Sequence, residues 1–240
     1  MNPADFALWV YLSRTPLLWL TLTLIVYALV DSASQRLHRH PLANPVLHSM
    51  WIIGAILAWT HTAYSVYFDG AQFIHFLLGP ATVALAVPLY ENRAIVARAL
   101  PPMLAALFAG SIIACVSAIL VAKWLGTPKA VLISLAPKSV TAGVAMAISQ
   151  SMGGDPALTA VMVISTGILG AILVTPLMDF LRIRDYRARG FAAGLAAHGI
   201  GTARAFQVNP VAGTFAGVAI GLNALLTSII APIVIKWLIH

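Results

Sequence analysis

AVLISLAPKSVTAGVAMAI, residues 130–148, decides how the rest of the chain is read. Lys138 is its single charged residue, and it follows Pro137 near the middle of the run. A proline inside a helix removes a backbone hydrogen bond and disfavours helix at the residue before it. An unpaired ammonium facing hydrocarbon costs at least roughly 2.5–3.5 kcal/mol on insertion scales. Together they predict a helix broken at depth, with a charge that lines a cavity or meets an anion.

Composition sets the class around this stretch. The chain has 240 residues, 60% hydrophobic and only 9% charged, and its mean hydropathy is +0.92. Seven acidic and fourteen basic residues are too few to cover a soluble domain of this size. The reading is an all-α polytopic membrane protein. Long uninterrupted apolar runs exclude the strict alternation of a β-barrel. The net charge of +7 does not point to nucleic acid, because the arginines sit in short loops and form no basic stripe with interleaved aromatics. Cys115 stands alone in an apolar run, so no disulfide or metal spacing exists. The N-terminus has Asp5 before Arg14 and lacks a basic leader, so the first apolar run reads as a retained span.

Apolar runs cover residues 16–30, 45–58, 72–90, 100–122, 130–149, 156–181, 191–207 and 211–238. Pro16, Pro45, Pro128, Pro156 and Pro210 stand near first helical positions, where a missing N–H costs nothing. Residues 5–12 are too short to span and read as an interfacial stretch with Trp9 and Tyr11. The whole of 1–240 reads as a single integral membrane domain, with halves 1–124 and 125–240.

The Lys/Arg bias puts 32–41, 91–98 and 182–189 in the cytoplasm, and the Lys/Arg-free loops 59–71, 151–155 and 208–209 outside. Between Arg93 and Asp155 an odd number of crossings is then required, yet two apolar runs intervene. The interrupted run at Pro137 therefore reads as a re-entrant hairpin, giving about seven crossings, with the N-terminus out and the C-terminus in. The alternative is about eight full spans, with Lys123 and Lys129 in a cytoplasmic loop.

Residues 77–84 (LLGPATVA) and 135–142 (LAPKSVTA) echo each other, and a third break follows at 198–202 (HGIGT). Gly79, Pro80, Pro137, Gly199 and Gly201 are the predicted helix breaks. Interruptions at corresponding places mark transporter repeats that meet near the membrane midplane. A broken helix opens unpaired N–H groups at the start of its second half, a positive dipole end suited to a carboxylate. Ser139 and Thr141 stand where such a half-helix starts, beside Lys138. In the second place Thr202 caps or binds, Arg204 offers a planar fork and His198 titrates near neutral pH. Asn223 either lines the site or bonds across helices.

The plainer readings are a Lys138 that snorkels, a satisfied buried His198 and an Arg204 that reaches the headgroups. Gly213, Gly217 and Gly221 form one small-residue stripe, and Ala193, Ala197, Gly201 and Ala205 another, so the last two segments are set to pack together. No acidic residue stands mid-membrane, which leaves a proton on His198 or neutral oxygen ligands for any coupled cation. GxSxG, HExxH and paired carboxylates are absent, so the chain reads as neither an enzyme nor a cofactor or metal protein.

Residues 76–90 (FLLGPATVALAVPLY), 135–141 (LAPKSVT), 197–205 (AHGIGTARA) and 221–223 (GLN) resemble, in order, the LrgB/CidB family of bacterial inner-membrane proteins. Where that family's pattern continues after Thr141 with Thr-Pro, this chain has Ala142-Gly143. The resemblance implies a multi-pass protein of the bacterial inner (cytoplasmic) membrane and two functions. One is transport of small monocarboxylates such as pyruvate, glycolate, glycerate or lactate, as in the LrgB-like half of the plastid glycolate/glycerate translocator. The other is a holin/antiholin-like role that modulates murein hydrolase activity and lysis with a small LrgA/CidA-like partner. The residues favour the first, with Lys138, Ser139, Thr141, His198, Thr202, Arg204 and Asn223 as substrate ligands. Oligomeric state stays open, a homo-oligomer included.

Overall fold

The structure is a computed structural model, and it describes residues 16–77, 80, 83–84 and 86–239. All the regular elements among the described residues are helices. The chain divides into two compact units, Met1–Ala86 and Val87–His240.

In the first unit, α1 (Pro16–Arg36) packs on α2 (Pro45–Trp59) and α3 (Tyr64–Phe76). Trp19 is wholly buried, edge-on to the Tyr67 ring at 6.0 Å. Asn44 caps α2 by accepting from the amides of Val46 and Leu47 ahead of Pro45 at the first turn. The interfacial stretch read at 5–12, and Gly79 of the expected 79–80 break, lie outside the described residues.

The second unit runs α4 (Ala86–Glu91), α5 (Arg93–Arg98), α6 (Leu100–Trp124), α7 (Lys129–Leu135), α8 (Ala142–Ser151), α9 (Pro156–Phe180), α10 (Tyr186–Val208) and α11 (Pro210–Ile239). Among the described residues, α1, α6, α9 and α11 are long and apolar enough to cross a bilayer. Asp155 accepts from the amides of Ala157 and Leu158, and Asn209 from that of Val211, so both proline-led helices start on a side-chain cap.

Between these long helices the chain twice doubles back. Residues 130–149 are not one helix: α7 stops at Leu135, a turn runs through Pro137, and α8 starts at Ala142. A methyl group on Gly154 would strike the hydroxyls of both Ser134 in α7 and Ser149 in α8. In one continuous helix those two serines would stand about 22 Å apart along the axis. The two short helices therefore form a hairpin, and the Asp155 amide donates to Ser134 Oγ across its base at 2.8 Å.

α10 does the same without a proline. Ala197 (φ −126°, ψ 18°) and His198 (φ 39°, ψ −134°) leave helical geometry. Beyond them Gly201 lies against the carbonyl of Ala193, and Tyr186 and Val208 line one crevice. A straight helix would separate Tyr186 from Val208 by about 33 Å. Residues 191–207, read from sequence as a crossing interrupted midway, instead return to the end they left. The physical cause is the left-handed turn at His198, which reverses the chain within two residues.

The two hairpins enter from opposite ends. α6 and α11 finish together, where Lys123 Nζ donates to the Leu238 carbonyl at 2.9 Å. Arg98, Asp185, Arg187 and Phe215 share a cavity at the other end. The end of α11 therefore lies opposite the Arg-rich loop, whereas the sequence reading put both on one side. One apolar cluster joins Cys115, Ile119, Ile133, Ala136, Ile148 and Ile235 around the first hairpin. Another joins Met103, Leu107, Phe191, Phe215 and Ala219 around the second. α10 and α11 pack together as expected, but the closest approach is made by Gly190 and Gly194 against the backbone of Ala212 and Ala216. Of the predicted stripes, Gly213 lies against the Phe206 ring and Gly221 has open space beside it.

Candidate functional site at the hairpin tips

The first tip is built by Pro137, which carries no N–H to extend α7. The Lys138 amide then turns onto the Leu135 carbonyl at 3.2 Å, and the Val140 amide onto the Pro137 carbonyl at 3.2 Å. Thr141 is the N-cap residue of α8 but makes no side-chain cap bond, which leaves the first N–H groups of α8 open toward the tip. Ser139 is buried, and its Oγ has no hydrogen-bond partner. Lys138 is half-buried, and among the described residues no carboxylate is within ion-pair distance of it. A positive charge, an unused hydroxyl and an uncapped helix start thus share one buried turn. That set is complementary to a carboxylate.

The second tip is closed. Buried His198 donates from Nε2 to the Val163 carbonyl of α9 at 2.9 Å, and its ring occupies the space beside Gly167. Thr202 Oγ1 donates to the His198 carbonyl at 2.8 Å and locks the turn. The backbone at His198 sits where L residues rarely go, a strain of roughly 1–3 kcal/mol. The apolar cluster of Val140, Ala145 and Val163 brings the first tip to the same turn of α9.

Asn223, buried in mid-α11, meets both hairpins. Its Nδ2 donates to the Ser139 carbonyl at 3.3 Å and to the Leu195 carbonyl at 3.0 Å. Its Oδ1 accepts from Ser111 Oγ of α6 at 2.7 Å and from Thr227 Oγ1 at 2.9 Å.

The structure thus gathers Ser139, Asn223, Lys138 and Thr141 about one tip, and His198 with Thr202 about the other. Arg204 is grouped differently. It is half-buried about 9 Å along the return arm from His198. There it lines a narrow crevice with Arg189, Tyr186 and Thr175. Arg189 pairs with Asp179 and donates to the Thr175 carbonyl. Gly199 and Gly201 fall just after the reversal, and Gly201 supplies the close approach to Ala193.

Sequence reasoning missed Ser111, Thr227 and the carbonyls of Val163 and Leu195. Ser111 and Thr227 are buried hydroxyls on α6 and α11, a signal no stronger than any other serine or threonine in a span. The carbonyls carry no side-chain signal at all.

A cavity of about 440 Å³ opens at the Arg-rich end, with Arg98, Asp185 and Arg187 at its rim and Met103, Phe191 and Leu195 deeper in. Leu195, one of the residues lining this cavity, rests on Gly110, next to Ser111. Asp185 caps α10 and takes a forked bond from Arg187 at 2.6–3.0 Å. The Arg187 side chain holds the Asp185 carboxyl below its ordinary range. Among the described residues no group of His, Cys, Asp and Glu could hold a metal ion.

Four long apolar helices among the described residues, with few buried polar side chains between them, define a multi-pass helical membrane protein. The model of the LrgB-like family matches residues 23–237, and the chain belongs to that family. It is similar to the uncharacterized protein YwbG of Bacillus subtilis strain 168, with 35% identity over 91% of this chain and 97% of that protein. The uncharacterized protein YxaC of the same strain is 36% identical over 83% of this chain and 86% of that protein. A holin-like protein CidB of Staphylococcus aureus strain Mu50 is 31% identical over 91% and 95%. No solved structure matches.

Proposed function

We propose that the chain is a secondary transporter of small monocarboxylates in the bacterial inner membrane, a carrier and not an enzyme. The observation that carries this is the first tip: a half-buried Lys138 without a carboxylate partner among the described residues, beside the unpartnered Ser139 hydroxyl and the open start of α8. Lys138 neutralises the anion, while Ser139, Thr141 and the α8 amides hydrogen-bond it. His198 and Thr202 shape the opposing tip, while Arg204 stands apart from the anion site, in the crevice it shares with Arg189.

Both hairpins are read as re-entrant. α7 and α8, at about 10 and 15 Å, suit a descent to the midplane of a hydrocarbon layer about 30 Å thick, not a crossing. Hairpins entering from opposite faces and meeting midway are the pattern of inverted-repeat transporters. The repeats so read are a hairpin followed by a long helix, α7–α9 and then α10–α11. The loop with Arg182, Arg184, Arg187 and Arg189 is assigned to the cytoplasm, and the end of α11 to the outside.

The CidB relatives are holin-like proteins, which favours a second reading; the resemblance to that family implies for it a role in lysis with an LrgA/CidA-like partner. Liposomes holding the purified chain, with and without such a partner, separate the two. The carrier takes up labelled pyruvate, glycolate or lactate, and Lys138→Ala lowers that uptake roughly tenfold or more. Leakage of unrelated solutes of graded size, indifferent to Lys138→Ala, would establish the pore instead.

A further inference from the structure

Asn223 reads from sequence as a substrate ligand or a cross-helix bond, and its geometry separates these roles. A carboxamide has two N–H donors and two acceptor lone pairs. All four are engaged: two backbone carbonyls, one from each hairpin, on Nδ2, and two hydroxyls on Oδ1. The orientation is fixed by the partners, since a flipped amide would set its oxygen against two carbonyl oxygens. Asn223 is also buried, so an unmade bond here carries its full desolvation cost of about 1–3 kcal/mol. While both tips are held, no capacity remains for a ligand.

We infer that Asn223 is a positioning residue that latches both hairpin tips to α6 and α11. Ser139 contributes only its carbonyl to this latch, which leaves its hydroxyl turned to other use. Neither tip can leave its partner without giving up a bond to the same side chain, so the opening of one hairpin is felt by the other. The use of this latch in transport rests on the carrier reading. The latch itself does not, and its test needs no substrate.

Cys115 is the sole cysteine of the chain. It is buried one turn along α6 from Ser111, packed in the cluster that includes Ala136, and serves as a native reporter of the first tip. The full-length protein in liposomes is treated with N-ethylmaleimide and the rate of Cys115 modification is followed. Asn223→Asp is isosteric and sets an acceptor against the two carbonyls. It raises the rate about tenfold or more, the equivalent of losing about 1.4 kcal/mol of local closure. Thr227→Ser keeps the hydroxyl and labels like the wild type. In uptake, Asn223→Asp alters the maximal rate and leaves KM within about twofold, as an interaction outside the ligand shell does.

Labelling of a folded Asn223→Asp protein at the wild-type rate overturns the latch. So does a tenfold rise in KM with Cys115 still protected, which would make Asn223 a ligand after all. Should the Asp variant fail to accumulate, Thr227→Val removes one donor to Oδ1, with about threefold faster labelling expected and wild-type labelling overturning the proposal. Failure of the carrier reading looks different: no variant transports, while the labelling differences persist.

Discussion

The two hairpins reach similar shapes by different chemistry. In the first, Pro137 ends a helix because it has no amide to offer, and a loose turn follows before α8. In the second, no proline intervenes, and the reversal is concentrated at His198 with φ 39°. The sequences run in parallel, Leu135-Ala136-Pro137-Lys138 against Leu195-Ala196-Ala197-His198, so a basic side chain stands at the same place in each. Their polar groups fare differently. His198 and Thr202 are both hydrogen-bonded, whereas the Ser139 hydroxyl has no partner and Thr141 makes no cap bond. A satisfied turn is a structural joint. An unsatisfied buried turn is where a ligand gains most.

This contrast is most exposed to test at Lys138. Lys138→Ala lowers carboxylate uptake by roughly ten- to a hundredfold, the loss of a charged hydrogen bond of about 1.5–3 kcal/mol, without unfolding the protein. Uptake assays on liposomes with matched protein content decide this. Next in size is His198→Gly. Glycine accepts this backbone without strain, so relief of roughly 1–3 kcal/mol offsets the lost bond to Val163. Thermal unfolding in detergent is expected at or above the wild-type temperature while uptake falls about tenfold. A large loss of stability would show that the imidazole, not the backbone, governs the second tip.

Ser139→Ala sharpens the comparison from the other side. Removing a buried hydroxyl that has no partner leaves stability unchanged or raises it by about 1 kcal/mol, while KM for the carboxylate rises severalfold. A destabilised variant with normal KM would make the first tip as structural as the second. The smallest effect is expected at the rim. Asp185 is held below the usual carboxylate range by Arg187, so its contribution is present above about pH 4 and is lost only as pH falls through the lowered value. Because the pair is solvent-exposed, Asp185→Asn should unfold within a degree or two of wild type between about pH 5 and 8.

Pro137 marks the first hairpin in the residue order alone, because proline's effect on a helix is local and carried in its own ring. The second hairpin leaves a fainter trace. Gly199, Gly201 and the histidine following two alanines announce a break at 198–202, but not that the chain reverses there. That depends on Gly167 making room for the imidazole and Gly201 for the Ala193 carbonyl, contacts that side-chain spacing does not reveal. The misjudged end of α11 follows directly, since a fold-back and a crossing differ by one traverse. Lys138 is identifiable as a charge out of place, whereas Arg204, equally conspicuous in sequence, belongs to a crevice shared with Arg189.

Composition and local backbone chemistry alone determined the membrane class, the starts of the long helices and the broken helix at Pro137. These follow from hydropathy, caps and a missing amide, each confined to a few neighbouring residues. Only the tertiary structure decided that His198 turns the chain back and that Asn223 joins both tips to α6. The first hangs on the sign of one φ angle under packing, and the second on backbone carbonyls that every residue possesses and only the fold brings together.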